Sequence, residues 1–442
     1  MDTVLLYILG ILIILVGLAI SIGLHEVGHL LPAKKFGVRV SQYMIGFGPT
    51  LFSWRRGETE YGIKALPLGG YISMAGMFPP TRPGGRSRTA TTGLFDTLVQ
   101  DARSASAETL VDVDESRAFY RLPVLKRIVI MLGGPTMNLL LGILFYAIVL
   151  CGFGLPQLST TIGSVNECVI PATSENQECG ADDPAAPGLE AGLEPGDRIV
   201  SMNGTAIESW DQATQIIRES PGEQLAIVVD RNGSEVSLTA TPLLSERYAL
   251  DENGAIAEDE NGDPITQEVG FLGIGAALEN VRQPVTAVLP AVGDNIARVV
   301  GIVITLPQRL IDVAEAAFGP EERDPNGPIG VVGIGRIAGE ITSLNSIAVA
   351  DRAASLIQIL ASLNVALFVF NLIPLMPLDG GHVAGAVWEA IRRGVAKLRG
   401  KPDPGPVDAA RFIPITLAVS VVLGAMTLLL IYADIVKPIS IL

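Results

Sequence analysis

The 442-residue chain is 49% hydrophobic and only 17% charged, and its formal net charge is −15. Soluble globular chains carry about 25% charged residues, and nucleic-acid binding calls for a basic face. Composition therefore excludes a nucleic-acid partner and points to a membrane protein. The length would allow two or three domains, but the apolar residues are gathered into blocks.

The first block, Val4 to Leu24, is long enough to cross a bilayer. It exceeds a signal-peptide core, and no Lys or Arg precedes it, so it reads as a retained helix within residues 1–36. At its inner end stands His25-Glu26-Val27-Gly28-His29. A spacing of four puts both imidazoles on one helix face, where they can share a Zn2+, with Glu26 beside them to polarise a bound water. A polar helix end is the plainer reading. Ionisable residues set beside some twenty apolar ones are costly, however, and mark function.

Residues 37–76 are punctuated by glycine and lean toward strand, with Gly46-Phe47-Gly48 and Leu68-Gly69-Gly70 among the turns. They are expected to form a membrane-associated β-region, covered by protein because lipid tolerates no bare strand edge. Residues 77–123, rich in Pro, Gly, Ser and Thr, read as a cytoplasmic loop. A second helix is expected over 124–152. Residues 153–245 contain the run Pro187 to Gly204, which resembles a PDZ signature, so this part is expected to be one mixed α/β PDZ domain taking a peptide or substrate tail. Cys168 and Cys179 fall within it, where a disulfide is permitted and two free thiols are the alternative. Residues 246–284 read as an acidic loop or insertion.

Residues 285–345 include a fifth apolar stretch, interrupted by Asp294, Arg298, Arg309 and Asp312. Those charges argue for an amphipathic or re-entrant region over a span. A third transmembrane helix is expected over 350–382, a cytoplasmic loop over 383–411 and a fourth helix over 412–435. Lys and Arg crowd the loops after the first helix and before the last, whereas the segment between the second and third is acid-rich. The positive-inside rule then puts both termini and the PDZ domain outside the cell and the first motif near the cytoplasmic face.

Catalytic zinc needs a third protein ligand and a position for water. The run Asn371-Leu-Ile-Pro374-Leu-Met-Pro377-Leu378-Asp379-Gly380-Gly381-His382 supplies a carboxylate at membrane depth. Spacing alone leaves open a helix stop facing the cytoplasm, or His382 as the ligand or a supporting group. No cysteine lies near either motif to close a structural zinc site, and a transporter's inverted repeats are not visible.

The paired motifs resemble those of the site-2 proteases, peptidase family M50, the intramembrane zinc metalloproteases. His25, Glu26 and His29 match the family's first motif, and Asn371, Pro374, Leu378, Asp379 and Gly380 match its second. The resemblance implies one Zn2+ per chain held by His25, His29 and Asp379, with Glu26 as general base. It implies that Asn371 and Pro374, together with Gly46 and Gly48 of the β-region, position substrate, and it assigns no other cofactor. Gly133-Gly-Pro-Thr-Met-Asn138 opens the second helix much as in relatives. A single PDZ copy and the run from Gly46 to Gly62 are most similar to actinobacterial members of the bacterial group. The resemblance further implies a multi-pass protein of the bacterial plasma membrane. Its substrates would be transmembrane proteins embedded in the lipid bilayer, of the kind represented by pre-trimmed anti-sigma factors.

Overall fold

The computed structural model describes residues 2–77, 106, 109, 114–174, 178–180, 183–249, 256–257, 259, 263–320, 322–325, 327–407 and 409–439. Most of the loop expected over 77–123 lies outside them, as does part of the acidic stretch after 249. Two compact units emerge: Met1–Phe153 with Pro284–Leu442, and Gly154–Gln283.

The first unit opens with α1 (Asp2–Lys35), whose last turn carries Lys34 and Lys35, where cations suit the helix dipole. Next come β1 (Val40–Arg56) and β2 (Thr59–Met74), two long strands folded upon each other. Register shifts let the start of β1 face two segments of β2: Tyr43 stands opposite Ile72 on one side and Tyr61 on the other. Segment Gly70–Met74 pairs only with β1 among the described residues. Tyr43 donates from its hydroxyl to the Gly23 carbonyl at 2.7 Å, tying the sheet to α1. The far end of the hairpin exposes Leu51, Phe52, Trp54 and Leu66, an apolar tip suited to lipid.

Helix α2 (Val124–Ala147) runs on through a π-turn, Ile148–Phe153. In the second unit, β3 (Leu155–Val165), the single helical turn α3 (Pro187–Glu190), β4 (Arg198–Met202), β5 (Thr205–Ala206) and α4 (Trp210–Glu219) are followed by β6 (Leu225–Arg231), β7 (Ser234–Ala240), β8 (Leu243–Tyr248), β9 (Thr266–Phe271) and β10 (Ile274–Val281). The main sheet has the order β10-β3-β4-β6-β7, with β5 paired to β4, while β8 and β9 form a separate hairpin. Its core includes Ile162, Leu193, Ile199, Met202, Leu225 and Ile227, with Ala213 and Ile217 of α4 packed in. Cys168 and Cys179 form a disulfide. Because β10 pairs with β3, this unit reaches Gln283, whereas the sequence predicts a domain ending at 245 and an acidic loop or insertion over 246–284. The closing pair joins strands more than a hundred residues apart, which local composition does not register.

The first unit resumes with α5 (Val288–Phe318), α6 (Val331–Ser343), α7 (Val349–Asn371), α8 (Asp379–Leu398) and α9 (Ile413–Val436). By length and composition, five helical segments among the described residues could cross a membrane: Thr3–Lys35, Val124–Phe153, Val285–Phe318, Val349–Asn371 and Ile413–Val436. The third of these is one more than the sequence reading expected. It is unbroken, and at about 100° per residue Asp294, Arg298, Arg309 and Asp312 fall on one face within about 60° of each other. Its charges therefore gather in a stripe and do not interrupt the helix.

Packing brings α1, α2 and α7 together. Gly28 and Gly133 are the contact point of α1 and α2: a Cβ on Gly28 would stand 2.2 Å from the Gly133 carbonyl oxygen, so only hydrogen fits. Tyr146 and Leu150 pack with Val288 and Val292 of α5 and Ala361 and Val365 of α7. Farther out, Ile14 meets Ala338 of α6 and Leu356 and Leu360 of α7. Arg127, at the start of α2, makes a buried ion pair with Glu389 of α8, whose other oxygen accepts from the Val407 N–H at 2.9 Å.

Candidate metal centre

The helical spacing of His25 and His29 turns both rings toward α2. His29 is 5% exposed, and its Nδ1 lies 2.7 Å from the Ile130 carbonyl oxygen. A carbonyl only accepts, so Nδ1 carries the proton and Nε2 presents a lone pair. His25 Nε2 lies 3.1 Å from His29 Nε2. On its other side, His25 Nδ1 lies 3.1 Å from Nδ2 of Asn138, a residue 1% exposed.

The third member arrives from the far half of the chain. α7 ends at Asn371, Pro374 and Pro377 occupy the turn that follows, and α8 starts at Asp379. Gly380 and Gly381 pass against the turn so closely that a Cβ on either would fall within 2.6 Å of backbone atoms. This places Asp379 Oδ2 at 3.3 Å from His25 Nε2 and 3.3 Å from His29 Nε2.

Three observations show that these residues fit a zinc ion. The ligand atoms form a triangle with edges of 3.1, 3.3 and 3.3 Å. Tetrahedral zinc with bonds of about 2.0–2.1 Å would set its ligands ~3.3 Å apart. Among the described residues, Asp379 Oδ2 is buried without a hydrogen-bond partner, a costly state for a carboxylate unless a cation compensates it. Gly134 faces the same space: a Cβ there would stand 2.2 Å from His29 Nε2 and 2.7 Å from His25 Nε2. Three protein ligands leave a fourth position open, the arrangement of catalytic zinc.

Glu26 is buried, 8% exposed, and its side chain runs along the β-region, where a Cβ on Gly70 would stand 2.9 Å from Glu26 Cγ. The strand segment Gly70–Met74 thus passes beside the carboxylate that neighbours the metal ligands. His382 is outside the group that could hold a metal, which comprises His25, His29 and Asp379 among the described residues; it lines a cavity of about 350 Å³ with Arg127, Met376 and Glu389. Asn371 donates from its amide to the Leu367 carbonyl at 2.9 Å, back along its own helix. Pro374 is exposed. Gly46 and Gly48 take φ of 91° and 85°, and Gly46 lies against the Leu66 carbonyl, away from the ligand triangle. Sequence reasoning assigned no role to Gly134, to the Ile130 carbonyl or to Asn138. The first two act through a helix crossing that no local pattern encodes, and Asn138 stood in view only as part of the run opening the second helix.

The chain is also similar in sequence to known metalloproteases. The model of a family described as Peptidase family M50 matches residues 13–402. The chain is 34% identical over 445 residues to the zinc metalloprotease Rip1 of Mycobacterium tuberculosis, covering 98% of this chain and 99% of the relative. Rip1 of Mycolicibacterium smegmatis is 32% identical over 449 residues, with 98% of each covered. The metalloprotease MmpA of Caulobacter vibrioides is 30% identical over 401 residues, covering 87% and 88%.

Proposed function

Because the chain belongs to peptidase family M50, the zinc metalloproteases of the site-2 type, we propose that it cuts peptide bonds within transmembrane segments of other proteins, with His25, His29 and Asp379 holding one zinc and Glu26 as general base. The observation that carries the reading is the ligand triangle, whose edges suit one tetrahedral metal and whose carboxylate oxygen has no other partner among the described residues.

Bound zinc supplies Lewis acidity, which makes water nucleophilic near neutral pH and polarises a carbonyl. Glu26 takes the proton from the attacking water and returns it to the leaving amine. A helical substrate hides its carbonyls in hydrogen bonds and has to unwind first. The free edge of Gly70–Met74, beside Glu26, offers the backbone partners for an extended strand. The turns at Gly46 and Gly48 shape this region, and Pro374 shapes the turn before Asp379. Asn371, whose amide donates to the Leu367 carbonyl, helps to position the substrate carbonyl in this reading.

The acid-rich unit Gly154–Gln283 lies outside the cell in this reading and works as a PDZ-type filter or docking module for substrates already trimmed, of which anti-sigma factors are the expected class. Both termini share that side, and water reaches the zinc from the cytoplasm. The test is cleavage of a reporter transmembrane segment by purified wild type and by Glu26→Gln. A loss of about 10²–10⁴-fold with zinc retained is expected; undiminished cleavage by the variant would remove Glu26 from this role.

A further inference from the structure

Both imidazoles need a lone pair on Nε2 to hold one metal ion. For His29 the Ile130 carbonyl settles this, because it can only accept from Nδ1–H. For His25 the neighbour of Nδ1 is Asn138, whose amide can present either face. As placed, Nδ2 donates to His25 Nδ1, the proton sits on Nε2, and His25 donates across 3.1 Å to the lone pair of His29. That arrangement leaves Asn138 Oδ1 buried without a partner among the described residues.

A half-turn of the amide exchanges oxygen and nitrogen at almost no change in shape. Oδ1 then accepts from His25 Nδ1–H, and Nε2 is left with its lone pair toward Asp379 and His29. The proton moves from one ring nitrogen to the other, so the imidazole stays neutral and no charge is created. We infer that Asn138 is a positioning residue for the zinc site, its amide oxygen accepting from His25 Nδ1–H and so holding the ring in the metal-binding tautomer.

Three features favour this over a packing role. Asn138 is 1% exposed on an apolar helix, where a polar side chain without a task is costly. Its amide nitrogen reaches one side chain, and that side chain is a ligand. The second ligand has a matching support in the Ile130 carbonyl, so both imidazoles are gripped from α2 at their Nδ1. Outer supports of this kind typically change metal affinity 10–100-fold when removed.

The inference rests on His25, His29 and Asp379 being the zinc ligands. The experiment measures the zinc dissociation constant of the full chain in detergent by chelator competition, for wild type, Asn138→Leu and Asn138→Asp, together with the visible spectrum of the cobalt-loaded proteins. His25→Ala is the control: if it binds zinc as wild type does, the ligand assignment itself fails. Leu matches Asn in size but cannot accept, so affinity should fall about 10–100-fold. Asp accepts from Nδ1–H and should stay within about threefold of wild type, with the tetrahedral cobalt bands intact. A packing role predicts the reverse order, since a buried carboxylate disturbs packing more than leucine does. Wild-type affinity in Asn138→Leu would overturn the inference. So would a folded Asn138→Asp that binds tenfold or more weakly, and this second outcome decides the matter if the leucine variant does not fold.

Discussion

Gly134 on the second helix and His29 on the first stand so close that a single Cβ on the glycine would reach to 2.2 Å of the His29 Nε2. The space between them is where the three ligand atoms converge. Gly134→Ala should therefore leave a folded chain that binds less than about a tenth of the wild-type zinc, as read by metal analysis after purification. Gly424→Ala, where an added Cβ would meet no neighbour within 4 Å among the described residues, is the comparison and should bind zinc fully. Full occupancy in Gly134→Ala would mean that the metal sits elsewhere.

Arg127 and Glu389 join the helix that carries Gly134 to the helix that begins with Asp379. Their side chains are 9% and 0% exposed. Removing one partner strands the other, so Glu389→Ala should cost about 3–5 kcal/mol and lower the thermal midpoint in detergent. Replacing both by methionine should recover most of the loss, because apolar packing often matches a buried pair. A double variant as unstable as the single one would contradict this account of the pair.

In the unit Gly154–Gln283, Arg231 binds both oxygens of Asp197 at 2.7 Å. That guanidinium holds the Asp197 carboxyl below the usual carboxylate range. A depressed folded pKa contributes stability above the unfolded value of about 3.9, which is lost as pH falls through the lower folded value. Arg231→Leu should thus lower the midpoint of this unit at pH 7, and its deficit should shrink below about pH 4. Trp210 fluorescence reports it in a Trp54→Phe, Trp388→Phe background. A deficit that stays constant to pH 2 would speak against the ion pair as its source.

The edge Gly70–Met74 makes a kinetic prediction. Proline removes a backbone donor, so Tyr71→Pro and Ile72→Pro should slow cleavage of a helical transmembrane reporter at least about tenfold more than cleavage of an already extended peptide containing the same bond. Equal losses on both substrates would mean that the edge does not select the extended form.

Much of the site was legible in the sequence because helical periodicity is local: four residues separate His25 from His29, and that spacing alone joins them on one face. Asp379 came from resemblance, since no pattern ties it to residues some 350 positions earlier. Asn138 and Gly134 stood in view only within the run opening the second helix and received no role for the same reason, as their meaning depends on the Gly28–Gly133 crossing, a tertiary contact between two small residues. Charges on the segment Val285–Phe318 read as interruptions in a linear scan, yet in three dimensions they share one face of a continuous helix. The end of the unit Gly154–Gln283 was hidden because β10 completes a sheet begun by β3, across a stretch whose acidic composition looks like loop.

Asp379 is the residue on which the intramembrane reading turns, because it closes the site from the other half of the protein. Zinc per chain in purified Asp379→Ala, measured against wild type, tests this most directly. The account predicts about one zinc in wild type and less than about 0.1 in the variant. A variant that keeps a full equivalent of zinc and still cuts a transmembrane reporter would contradict it.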